Sequence, residues 1–266
     1  MKKLNLLLGV LIGLSMFSCS SDDSNSNEEP GLNEKKLIRV IEEGNYGTYE
    51  KLYMYDSDNN VSEIESSFTA LGQTNSDVYH TIFNYENNLI ISATHNNNGS
   101  LYRTFEFNYL NNNLIERIIY DAIGIEDEKL EFTYNSDNQI ESYNYSVQTE
   151  FQQTVNFTYD TNGNIITAED TDYSEIQYDT HSTPSDAFTN SNKIIFEAES
   201  LLMNLCGNNE TNRTTTYNYL LPNEVIYHFE TSITYDADNY PLSKIVTETD
   251  NNNNQRIART TTFEYE

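Results

Sequence analysis

The sequence predicts an all-β protein: a long up-and-down antiparallel meander of repeated hairpins, rolled or flattened into a barrel-like sheet. Three observations carry that prediction. Apolar residues recur at every second position, runs of Asp, Asn and Gly interrupt each alternating stretch, and one short unit is written along most of the chain. Its clearest copy is Phe157-Thr158-Tyr159-Asp160-Thr161-Asn162-Gly163-Asn164-Ile165: two rings in alternation, a turn, and a fresh apolar residue.

The elements follow in chain order. Lys2 and Lys3 precede an apolar run from Leu4 to Phe17 that ends in Ser18-Cys19. The run is shorter than the roughly twenty residues a membrane-spanning helix needs, so residues 1–18 read as an export signal. A small residue directly before Cys resembles a lipobox, which makes Cys19 the expected lipidated first residue of the mature chain. Residues 19–34, with Asp22, Asp23, Glu28 and Glu29, hold almost nothing to bury and read as an acidic, solvated tether. Such an acidic patch also resembles the surface-export signal of Bacteroidota lipoproteins.

Residues 35–266 read as one domain. Leu37 to Ile41 is the opening strand, with Gly44 and Gly47 at the turn after it. The repeat, an apolar or aromatic residue, any residue, then Tyr, follows at Tyr55, Tyr85, Tyr109, Tyr134, Tyr159, Tyr178, Tyr219, Tyr235 and Tyr265. Alternation puts both large side chains of each unit on one face of the sheet and the small polar residue on the other. Turn residues come next, as in Asp56-Ser57-Asp58-Asn59-Asn60 and Asp236-Ala237-Asp238-Asn239, because Asp and Asn bond nearby backbone and tolerate left-handed conformations. Val61, Leu89, Leu114, Ile140, Ile165, Val225 and Leu242 are expected to open the return strands. Tyr109, Tyr134 and Tyr159 stand 25 residues apart, a period at which each unit buries its apolar side only against its neighbours. Two strands per unit give roughly sixteen to eighteen strands in all.

After Tyr178 the pattern breaks. Ile194, Ile195, Ala198, Leu201, Leu202 and Leu205 fall at helical spacing, and Gly207 follows, so one short helix is expected near 193–206. The sheet resumes near Thr214 and runs to Phe263-Glu264-Tyr265.

The unit resembles that of YD-repeat proteins, which reads aromatic-x-Tyr-Asp-x-x-Gly-Asn-apolar. Phe157 to Ile165 fits it best, whereas Tyr53 to Val61 and Ile233 to Leu242 lack the Gly. With its N-terminus, the chain is similar to a group of uncharacterised Bacteroidota lipoproteins. That resemblance implies a curled or porin-like antiparallel sheet over residues 35–266 and implies no activity.

Charge narrows the function. The chain has 42 acidic and 14 basic residues and a net charge of -28, which repels nucleic acid and disfavours anionic lipid. Membrane attachment is therefore expected through acyl groups on Cys19. With Cys19 acylated, Cys206 stands alone and no internal disulfide is expected. The Asp-rich runs at Asp56, Asp160 and Asp236 begin like calcium loops but lack the closing carboxylate, so turn chemistry explains them. His80, His95, His181 and His228 show no zinc spacing, and no nucleophile elbow or phosphate loop is present. No catalytic residue, metal or cofactor is assigned, and the ligand is unknown. The expectation is a non-catalytic, lipid-anchored outer-membrane protein, exposed at the surface or facing the periplasm, that binds a glycan or protein. A purely structural role and a hydrolase at an open end of the sheet are the alternatives. Charges among the strand residues argue against a membrane-spanning barrel.

Overall fold

A computed structural model describes residues 35–181, 208–217 and 225–266 of the protein. It contains sixteen strands: β1 (Leu37–Gly44), β2 (Gly47–Tyr55), β3 (Val61–Ala70), β4 (Asp77–Glu86), β5 (Leu89–Asn97), β6 (Ser100–Leu110), β7 (Asn113–Asp121) and β8 (Glu126–Tyr134). The second half holds β9 (Ile140–Val147), β10 (Glu150–Tyr159), β11 (Ile165–Glu169), β12 (Tyr173–Tyr178), β13 (Glu210–Tyr217), β14 (Val225–Tyr235), β15 (Pro241–Thr249) and β16 (Gln255–Tyr265). Each strand pairs antiparallel with its sequence neighbours, and β1 pairs with β16, so the sheet closes into a barrel. Closure leaves no edge strand. The seam is finished by Lys36 and Glu266, whose backbone N–H and C=O groups exchange two hydrogen bonds of 3.0 and 2.9 Å.

The repeated unit builds one rim of this barrel. Its tyrosines end the even-numbered strands, and most reach across to the carbonyl that opens the preceding odd strand. Tyr55 donates to Leu37, Tyr85 to Val61 and Tyr134 to Leu114, each at 2.7 Å. Tyr159 donates to Ile140 at 2.6 Å, Tyr178 to Ile165 at 2.7 Å and Tyr265 to Pro241 at 3.0 Å. Tyr109 breaks the series, for its hydroxyl is buried without a partner. A one-residue register shift follows the turn in six of these hairpins, opposite the motif tyrosine. The extra residue sharpens the local twist and lets the ring turn inward.

The turns follow the expected chemistry. The Asp56 carboxylate accepts the N–H groups of Asp58 and Asn60, both at 2.9 Å. Asp160 does the same for Asn162 and Asn164, and Asp236 for Asp238 and Tyr240. Asn87-Asn88 and Asn111-Asn112 form two-residue turns with positive φ at both positions, as the twist of a tight hairpin requires. The long insertion after Tyr178 is grafted on the same template. Asp179 accepts the N–H of His181 and, thirty residues on, that of Asn209, while the Asp179 N–H donates to the Asn209 carbonyl.

Three expectations need correction or placement. Tyr217 does not belong to a unit at the motif rim, because β13 carries it to the other rim, and Asn218 and Tyr219 lie outside the described residues. Leu89 opens β5 as expected, whereas β15 opens with Pro241, one residue before Leu242, because the first position of a strand tolerates proline. The helix expected at 193–206, with Cys206, lies outside the described residues, as do Cys19 and the export signal.

The inner wall is apolar in the half nearest the motif rim, while the outer wall mixes charged residues with outward apolar side chains such as Leu52, Met54, Ile82 and Ile245. Buried residues include Leu37, Tyr53, Val61, Ile90, Phe107, Leu114, Phe132, Phe157, Ile165 and Phe263, most of them in the half nearest the motif rim. Tyr143 and Tyr145 also pack against this core, because they alternate in register with it. Outward positions in mid-wall carry charge. Glu63 meets His80 at 2.7 Å, Lys129 lies 3.6 Å from Glu116 and 3.3 Å from Glu131, and Arg39 bridges Glu50 and Glu264 at 2.7 and 2.9 Å. Charged pairs at these outward positions differ from the continuous apolar outer band of a membrane-spanning barrel.

Candidate binding site at the distal mouth

At the rim away from the motif turns, the inner wall opens and its side chains change character. On β13 and β14 an aromatic row points inward. Tyr217 meets Tyr227 edge-to-face with centroids 5.6 Å apart, and Tyr227 lies 6.4 Å from Phe229. The Arg213 guanidinium sits 4.8 Å from the Phe229 centroid, so a cation closes the deep end of the row. Across from it, Arg256 of β16 grips Glu248 of β15 through Nε and Nη2 at 3.0 and 3.1 Å. Tyr217, Val225, Tyr227, Phe229, Glu248 and Arg256 together line an open cavity of about 400 Å³.

A second inward cluster faces the same mouth. Tyr79 stacks on His95 at 5.1 Å and 9°, and Tyr102 tilts against both. The Thr81 hydroxyl and His95 Nδ1 share a hydrogen bond of 2.8 Å. Burial, with Arg103 nearby, lowers the His95 pKa, so the imidazole is held neutral. Arg103 itself pairs with Asp127 at 3.0 Å and Glu128 at 3.5 Å. Deeper in the wall, burial lowers the pKa of Arg117 to about 10, against the opposing pull of Glu128.

The geometry offers stacking faces and paired charges. The second hollow, about 300 Å³ beside β11, β12 and β13, holds one carboxylate, Glu175. In the distal cavity Glu248 is committed to Arg256. Neither hollow opposes two carboxylates in the way that glycoside hydrolysis uses them. Asp56, Asp160 and Asp236 each accept turn N–H groups at Oδ1, while Oδ2 accepts from the side chains of Asn60, Asn164 and Lys35 respectively.

Period-2 aromatics at Tyr227 and Phe229 are visible in the sequence, but the row was missed. Its partners come from β13 and β16, and only the register reveals which residues face one another. Tyr217 was instead assigned to the motif.

The chain is therefore a closed sixteen-stranded up-and-down barrel with an aromatic inner wall and one open, aromatic-lined mouth. No protein-family model matches it, and no curated protein matches it. Among solved structures it is similar to a porin-like protein from Bacteroides uniformis ATCC 8492, with a TM-score of 0.55 and 13% identity over 89% of this chain and 99% of that one. A porin-like protein from Bacteroides vulgatus ATCC 8482 matches with a TM-score of 0.41 and 9% identity, over 87% and 99% of the two chains. The first likeness shows the fold.

Proposed function

We propose that this protein is a lipid-anchored component of the cell envelope and a non-catalytic binding module for a glycan or protein at the outer membrane. The observation that carries the reading is the aromatic row Tyr217–Tyr227–Phe229 facing the Glu248–Arg256 pair in an open cavity. Rings with exposed faces and planar charged groups beside them suit sugar rings or aromatic and charged peptide side chains. The porin-like neighbour supports an envelope address, and the signal and Cys19 supply the means of attachment. Charged mid-wall side chains favour a barrel bathed in water and tethered by acyl groups over one embedded in lipid.

Two measurements test this. Radiolabelled palmitate is expected on the wild-type protein and absent from Cys19→Ala; equal labelling ends the anchor assignment. On arrays of envelope polysaccharides and envelope proteins, the full chain is expected to be retained and Tyr227→Ala to lose at least about tenfold. Retention unaffected by Tyr227→Ala and by Arg256→Ala rules out the cavity as the site.

A further inference from the structure

The two rims of the barrel differ in a way that binding at the cavity does not explain. Seven large apolar side chains among the described residues are more than half exposed: Tyr46, Leu71, Leu110, Ile123, Ile125, Phe151 and Ile257, at 59–86%. Six of them stand at the distal rim, and Leu110 alone stands at the motif rim. They occupy the β1–β2, β3–β4 and β7–β8 connections and the first residues of β10 and β16, so they are spread around the ring. Leu101 and Tyr102, at the start of β6, extend the ring with 45% and 46% exposure. Neighbouring connections are tied edge to edge, for the Leu71 N–H donates to the Tyr46 carbonyl at 2.9 Å.

Both rims carry carboxylates, but they are placed differently. Turns of the motif rim carry Asp56, Asp58, Asp137, Asp160, Asp236 and Asp238. Of the seven described distal connections, those at 45–46, 71–76, 98–99, 122–125 and 148–149 carry no charged residue. Acidic groups remain in the other two, Asp170, Asp172 and Asp250, and at strand ends, Asp77, Asp121, Glu126, Glu150 and Glu169.

We propose that the distal rim docks on a zwitterionic lipid surface, its apolar tips seated among the headgroups. A ring of separate protruding tips, rather than one continuous patch, matches a flat and fluid partner that can meet every tip at once. Tyr and Phe are at home in the interfacial layer. The residual carboxylates set the lipid preference, since they repel an anionic surface and leave a zwitterionic one unopposed.

The anchor permits this orientation. The docking rests on the lipid-anchored reading only here. Residues 19–34 join the barrel at the motif rim and span up to ~55 Å when extended. Strands of up to 11 residues, tilted as barrel strands are, make a wall ~28 Å high. The tether therefore reaches past the wall, and the acidic motif rim turns away from the membrane while the apolar rim turns toward it. Seated so, the mouth opens onto headgroups, and the partner of the aromatic cavity is one carried by the membrane.

Flotation with phosphatidylcholine vesicles tests the docking, using the mature chain from residue 19 with Cys19→Ser so that no acyl group contributes. The barrel is expected to float with the vesicles, and mixing in phosphatidylglycerol is expected to weaken binding. Ile123→Asp with Phe151→Asp is expected to lower partitioning by about tenfold or more, with circular dichroism unchanged. Leu110→Asp, at the motif rim, is the control and is expected to float as before. Absence of the parent protein from the floated fraction overturns the proposal. So does equal flotation of the double variant, or a lipid-independent dimer that the same substitutions dissolve. Tyr227→Ala is expected to keep flotation while losing array retention, so failure of the docking and failure of the cavity are told apart.

Discussion

The unit of this protein is a tyrosine that does two jobs. Its ring packs against the inner core, and its hydroxyl ties the end of one strand to the start of its neighbour. Removing only the hydroxyl isolates the second job. Tyr159→Phe is expected to cost about 1 kcal/mol in urea unfolding, because the Ile140 carbonyl is then left with one partner fewer. Tyr109→Phe is expected to be neutral or slightly stabilising, since that hydroxyl is buried with nothing to bond. Burial also governs ionisation. It raises the pKa values of Tyr55 and Tyr85, and pushes those of Tyr109 and Tyr134 up to about 12. The unfolded chain releases these phenolic protons near pH 10, so stability is intact below that pH and falls as pH rises from 10 toward 12. Melting temperatures across this window, read beside phenolate absorbance, check the direction; a flat profile refutes it.

Hairpins are the next scale, and the turns differ in how well residue type suits backbone. Asn59, Asn88, Asn112, Asn138 and Asn239 take positive φ, which Asn tolerates. Gln148 and Thr149 do so as well, at φ 48° and 68°, and a β-branched residue there is strained. Thr149→Gly is therefore expected to stabilise the barrel by about 1 kcal/mol in denaturant titration. Gly47 is the opposite case. At φ 148°, an added Cβ meets the Thr69 carbonyl oxygen at 2.1 Å, so Gly47→Ala is expected to destabilise by ~2 kcal/mol or more in the same assay. This scale was the most legible in the sequence. Alternation, turn residues and the aromatic-x-Tyr unit are all local, and each maps onto a hairpin. Where the unit misled, at Tyr217, the ring ends an odd-numbered strand and therefore stands at the rim away from the motif turns, a placement that no local pattern records. The register shifts opposite the motif tyrosines were hidden for a similar reason, because a bulge is defined by the partner strand.

At the scale of the whole molecule, closure was the undecided question. A strand count near sixteen was readable, but a rolled sheet and a closed barrel have the same local sequence. What separates them is the pairing of Val40 with Phe263 and its neighbours, contacts that link opposite ends of the domain. The distal cavity was illegible on the same ground, since its row and its ion pair come from four strands brought together by register. Removing β16 at residue 255 is expected to expose two edges and to yield soluble aggregates in size-exclusion chromatography. A monomeric, folded product after that truncation contradicts closure as the source of solubility.

The β1–β16 seam has a consequence for how the barrel is made. Fifteen of its sixteen pairings join strands that follow one another along the chain, so they can zip in chain order. The remaining one must wait for the final strand to arrive, and until then a nearly complete ribbon waits with both borders bare. The slow, vulnerable moment in the life of this protein is thus its last stitch, and that is when a holdase would be needed.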